Sequence, residues 1–178
     1  MSGLDLHSLW SEGEDAFVAA LGYLFEHSPW VVARAYAQGP FVDADALLAA
    51  TSTVLALATQ EDQLALIRAH PQLAGKAAIA GDLTVSSQRE QKSAGLDRLT
   101  PEEFERFHAL NRVYQERFAF PFIVCARLND KTSILAALEA RSSQDEAAEI
   151  TTALLEISRI ARLRLADALN AAPLETKA

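Results

Sequence analysis

Apolar residues recur at helical spacing along nearly all of this chain, and the polar residues between them fall where helices start and stop. Ser11 and Glu14 have the spacing of a capping box, and Phe17, Leu21, Leu24 and Phe25 then share one face. Ser28 and Pro29 end that helix and open the next, "PWVVARAYAQ", which Gly39 closes. Asp43 is placed to cap a segment through Leu47, Leu48 and Leu55, and Thr59 with Asp62 restarts the pattern as "QEDQLALIRA", which stops at His70. Thr100, Pro101 and Glu103 form a second capping signature, ahead of an apolar face of Phe104, Phe107, Tyr114 and Phe118. The longest and most regular helix runs from about Ser143 to Asn170.

The strand-like run "FPFIVCA" has no partner strand, and strands do not stand alone in water, so it reads as a buried extended connection or a short helix entry. With no internal repeat and no Gly/Ser linker, the pattern predicts an all-α fold: one domain over residues 1–178, a bundle of eight to nine helices without significant β-sheet.

Composition narrows the partners. Half of the 178 residues are apolar, enough for a real core. Sixteen Lys and Arg stand against 24 Asp and Glu, a formal charge of -8, which argues against nucleic acid as the main partner while leaving room for a small anion held by one or two local arginines. The single cysteine, Cys125, excludes an intrachain disulfide and a Cys-based zinc site. "MSGLDLHSLWSEGED" lacks the basic and apolar segments of a signal peptide, no run approaches a membrane span, and "LETKA" carries no recognised address, so the expectation is a soluble intracellular protein.

Four polar positions look out of place in a purely structural bundle. His70 precedes Pro71, which biases it away from helical dihedrals and puts it where a helix ends. A histidine there is favourable with the helix dipole, and it also suits proton transfer near neutrality. Ser87 and Glu90 have N-cap and N3 spacing, so both side chains read as occupied by a capping box, although a helix N-terminus beside Gln91 also suits an anion. Arg164, at about 100° per residue, lies within about 40° of Ile157 and Ile150, whereas Arg159 and Arg162 point away from Ile157. An inward arginine implies either a buried pair with a carboxylate or a guanidinium presented to a ligand. Asn111 shares the aromatic face of its helix and reads as part of a structural network. Glu105 with His108 matches half of a di-iron motif that needs two copies, and Cys125, in an apolar run, reads as an inert thiol.

Four blocks in order, "AHPQLAGKAA", "LTVSSQREQKSAGLDRLTPEEF", "LNRVYQERFAFPFIVCARLNDKTSIL" and "ALLEISRIARLRL", resemble the 2-oxo-4-hydroxy-4-carboxy-5-ureidoimidazoline (OHCU) decarboxylases, over about residues 4–169. The resemblance implies a cofactor-free carboxy-lyase of urate degradation that makes (S)-allantoin, with no metal. It implies His70 and Glu90 as catalytic residues, and Pro71, Ser87, Gln91, Arg164 and the run Phe122, Ile123, Val124, Cys125 and Ala126 as substrate contacts, the last through backbone amides. It further implies a homodimer whose partner is a small ureidoimidazoline carboxylate, with neither nucleic acid nor membrane. The alternative from another class is a non-catalytic helical module that binds a ligand on the same fold.

Overall fold

Short polar side chains decide where most of the helices begin. The computed structural model describes residues 4–170, and the C-terminal "LETKA" lies outside them. Among the described residues there are ten α-helices and no strand: α1 (Leu6–Ser11), α2 (Glu14–Leu21), α3 (Trp30–Tyr36), α4 (Ala44–Leu57), α5 (Gln60–Ala69), α6 (Lys76–Ala80), α7 (Val85–Ser93), α8 (Pro101–Phe118), α9 (Lys131–Arg141) and α10 (Glu146–Asn170). Short 3-10 turns occupy Gly22–Leu24 and Ala126–Leu128. No described helix is long and apolar enough to cross a membrane.

Two expected caps hold. Asp43 accepts from the Ala46 amide at 2.8 Å, and Thr100 and Glu103 exchange both bonds of a capping box at 3.2 and 2.9 Å. Two others are corrected. Ser11 is the last residue of α1, whose cap is Asp5, and α2 starts instead after Gly13, at φ 105°. Ser11 Oγ is turned back onto the His7 carbonyl at 2.9 Å. In α7 the cap is Thr84, which accepts from the Ser87 amide at 3.2 Å, so the helix begins most of a turn before Ser87 and the Ser87–Glu90 capping box does not form. Thr84→Ala is therefore expected to destabilise the protein by about 1 kcal/mol. Ser11→Ala should shift stability by less than about 0.5 kcal/mol; urea titration of both variants checks the assignment.

The chain divides into two compact units, one from the described parts of residues 1–59 and 158–178 and the other from Gln60–Ile157. In the first, α3 packs on α2 and α4 around Phe17, Leu21, Val31, Val32 and Leu47, all essentially inaccessible. Trp10 and Tyr36 stack at 5.6 Å, and each donates to the other's backbone carbonyl at 3.1 Å, so both polar tips are satisfied. Gly39 is required here: a Cβ would come within 2.3 Å of the Trp10 indole nitrogen.

The second unit is built on aromatic residues from α8 and the segment after it. Tyr114 lies edge-on to Phe122 at 5.4 Å, and Phe118 stacks on Phe120 at 5.6 Å. Residues 121–125 are buried and irregular, as expected for an apolar run with no partner strand. Such a segment needs side-chain partners for its backbone, since no ladder supplies them. α9 and α10 provide two. Arg141 donates to the Ile123 carbonyl at 2.8 Å, and Glu156 accepts from the Cys125 amide at 2.7 Å.

Candidate functional site

α5 ends at Ala69, and the chain turns at His70 and Pro71 as the dipeptide requires. The His70 amide still bonds the Ile67 carbonyl at 3.2 Å, and the ring Nδ1 lies 2.9 Å from the Leu66 carbonyl. A carbonyl only accepts, so Nδ1 must carry the hydrogen, and in the neutral ring Nε2 is left as the basic nitrogen. One bond thus serves the helix end and fixes the tautomer. His70 is 6% exposed, and Pro71 is half-buried.

The turn that follows is held from two helices. Ala74 has φ 50°, in the left-handed region. Its amide donates to Gln91 Oε1, on α7, at 3.0 Å, while the carbonyl of Leu73 accepts from Asn111 Nδ2, on α8, at 2.9 Å. These two groups are opposite edges of one peptide plane. Gln91 and Asn111, at 5% and 4% exposure, therefore grip the Leu73–Ala74 peptide like the jaws of a clamp, close in sequence to His70. Asn111 has the structural part its position on the aromatic face predicts.

Ser87 and Glu90 are both buried on α7. With the cap supplied by Thr84, Glu90 sits in the body of the helix rather than at its end. The 3-10 turn at Ala126–Leu128 packs against α7. Burial, foremost, raises the Cys125 thiol above its ordinary range, and the charges of Glu156 and then Glu90 raise it further. Glu90 is thus an electrostatic neighbour of the 121–126 segment. Cys125 should react with a disulfide reagent only on unfolding, with native protein at pH 8 labelled at least about tenfold more slowly than denatured protein; the release of the coloured thiolate measures this. Of the backbone amides in the segment, that of Cys125 is committed to Glu156, which removes it from the donors expected to face a ligand while that bond stands.

Arg164 belongs to the first unit. It is 3% exposed, whereas Arg159 and Arg162 are exposed, as the helical angles predict. Its Nη2 is 2.8 Å from Glu26 Oε1, and its Nη1 donates to the Tyr23 carbonyl at 3.1 Å. The buried pair with a carboxylate is therefore present, and it fixes the plane of the guanidinium.

Sequence reasoning passed over a second set of buried charges. Arg141 makes a two-pronged contact with Glu149, Nε to Oε1 at 3.0 Å and Nη2 to Oε2 at 2.9 Å. Tyr114 donates its hydroxyl to the same carboxylate at 2.5 Å. Burial, the Glu149 hydrogen bond and the Glu149 charge all push the Tyr114 phenol far upward, so it stays a donor. Glu149 and Glu156 lie seven residues apart on α10, each within about 40° of a buried apolar neighbour, Ala153 or Ile160. The angular test that singles out Arg164 would have found them. Among the described residues no cluster of three or more His, Cys, Asp or Glu could hold a metal ion.

The OHCU decarboxylase family model matches residues 11–166. A 2-oxo-4-hydroxy-4-carboxy-5-ureidoimidazoline decarboxylase of Haloferax volcanii is 41% identical over 167 residues, covering 94% of this chain and 97% of that protein. The uric acid degradation bifunctional protein PucL of Bacillus subtilis is 42% identical over 147 residues, 83% of this chain and 29% of that one. Among solved structures, an (S)-allantoin synthase superposes with a TM-score of 0.72 at 27% identity, covering 94% of this chain and 54% of the other.

Proposed function

This chain belongs to the OHCU decarboxylase family, and from that membership we propose that it converts 2-oxo-4-hydroxy-4-carboxy-5-ureidoimidazoline to (S)-allantoin and carbon dioxide in urate degradation, with His70 and Glu90 moving the protons. The substrate's structure sets the task. Loss of carbon dioxide breaks the bond from C4 to its carboxylate, and that electron pair becomes a C4–C5 double bond. The former C5–N double-bond pair moves onto the ring nitrogen, which takes a proton. Ketonisation then adds a proton to C5 on one face and removes the one on the C4 hydroxyl, giving a single enantiomer. The substrate's own ring takes up the electrons, so the reaction calls for no cofactor.

The protein's part is proton transfer and fixed polarity. The observation that best supports the reading is the Nδ1 bond of His70 to the Leu66 carbonyl, because it sets Nε2 as a base on a ring that is buried and held still. Glu90 supplies the second titratable group, and the two share the C5 and hydroxyl proton movements. Gln91, Ser87, Pro71 and backbone amides of the segment 122–126 other than that of Cys125, which Glu156 occupies, contact the substrate in this proposal, and oriented amides of this kind are each worth about 3 kcal/mol toward a developing anion. Arg164 holds a substrate anion. Because pairing to the departing carboxylate stabilises the ground state as well, it orients more than it accelerates.

The test makes the unstable substrate in place, from urate and the two upstream enzymes, and follows circular dichroism. Uncatalysed decay gives racemic allantoin and no lasting signal. An optical signal that grows in proportion to the added protein, with or without chelator, supports the proposal. A folded protein that binds allantoin but builds no signal would leave the binding-module alternative instead. A cytoplasmic homodimer completes the proposal, with analytical ultracentrifugation the check on its oligomeric half.

A further inference from the structure

A cavity of about 710 Å³ opens within the second unit, on the face of α7 turned away from Ser87 and Glu90. Val85, Gln88, Arg89 and Lys92 line it, and at about 100° per residue these four span an arc of about 100°. Ser87 and Glu90 each point about 150° away from the centre of that arc. Gln91 lies between the two faces and also reaches the cavity wall. The other walls are apolar, from Leu83, Leu96, Leu99 and Phe104.

Three features of this cavity ask for a ligand. Its volume is in the range of small-molecule sites, about 300–1,000 Å³. Gln91 is 5% exposed, and its Nε2 is buried with no hydrogen-bond partner among the described residues, an unmet donor that is costly to keep. At the rim, Arg89 and Lys92 stand three residues apart without an ion pair among the described residues, in a chain whose formal charge is -8. The rim also carries Asp97, whose carboxylate lies 3.6 Å from Arg98 and is partly offset by it. Cations at the mouth, an unmet donor on one lining residue and otherwise apolar walls fit a small carboxylate with a flat apolar body.

We propose that the outer face of α7 is a second ligand site, taking such an apolar carboxylate, and that Gln91 links it to the turn at His70. Its Oε1 holds the Ala74 amide, so a ligand that draws on the same side-chain amide bears on the clamp. The link to turnover rests on the role of His70 proposed above; the site itself does not.

The experiment titrates ¹⁵N-labelled protein with 2-naphthoate and follows the Gln91 side-chain amide, the Ala74 amide and α7. Saturable shifts at these groups are expected, with the dissociation constant weakened about tenfold or more in an R89Q/K92Q variant. That variant should turn over substrate at the wild-type rate without naphthoate, while saturating naphthoate changes the rate of the wild type and not of the variant. Absence of saturable shifts, shifts indifferent to R89Q/K92Q, an unchanged wild-type rate at saturation, or one-site displacement of naphthoate by allantoin overturns the proposal. The last result would make the cavity part of the substrate's own site. Failure of the catalytic reading is distinguishable, since it appears as lack of turnover in both proteins before any naphthoate is added.

Discussion

His70→Ala is expected to lower turnover by about 10² to 10⁴, the usual worth of a positioned acid–base group, while the protein stays folded. The fold should survive because the ring's bond to the Leu66 carbonyl lies at the end of α5, and a hydrogen bond of this kind contributes about 1 kcal/mol. The optical signal of allantoin formation measures the first effect and a urea titration the second. A loss confined to stability, with turnover per folded molecule unchanged, would remove His70 from the chemistry and leave it as a helix-end residue. His70→Gln is a useful companion, since its amide can still reach the Leu66 carbonyl but cannot serve as a base near neutrality.

Glu149→Ala carries the largest expected cost in stability, about 3–5 kcal/mol, because it strands Arg141 with its charge uncompensated in the interior. The Arg141 side chain is 10% exposed and that of Glu149 is not exposed at all. The loss should spread to the segment above it, for Arg141 also holds the Ile123 carbonyl and lies 4.4 Å from the centre of the Phe122 ring. Arg106→Ala at the exposed pair with Glu139, whose side chains are 58% and 60% exposed, is the control and should cost under about 1 kcal/mol. Replacing Arg141 and Glu149 together by Met and Leu is expected to recover much of the loss, as apolar replacements of buried pairs often do. Chemical denaturation midpoints of the four proteins decide the point.

The sequence is legible where one residue type has one local job. Thr100, Pro101 and Glu103 announce a helix start and form it, and Asp43 does the same. Around Thr84 it is ambiguous, because "TVSS" offers three hydroxyls and only packing chooses among them. Ser87 faces inward, which leaves the cap to Thr84. The inward turn of Arg164 was readable from angles alone, but its partner Glu26 was not, since nothing local relates residues so far apart in the chain. The same holds for Arg141 and Glu156, which answer a need of the 121–126 backbone that appears only when an apolar run folds without a neighbouring strand, and for Glu149, which holds Arg141. The family blocks supplied the candidate site residues; the clamp of Gln91 and Asn111 on one peptide belongs to the three-dimensional arrangement.

That clamp has a kinematic consequence. A loop ordinarily keeps torsional freedom of its own, and its excursions are set by its local sequence. Here the Leu73–Ala74 plane is fastened on one edge to α7 and on the other to α8, so it can rotate only if one of those helices shifts or one bond opens. The turn at His70 has in effect exchanged the fast, uncorrelated motion of a loop for the slower, concerted motion of a helix pair. The Ala74 amide, although it lies outside any helix, is accordingly one whose hydrogen should exchange with solvent on the timescale of the surrounding helices.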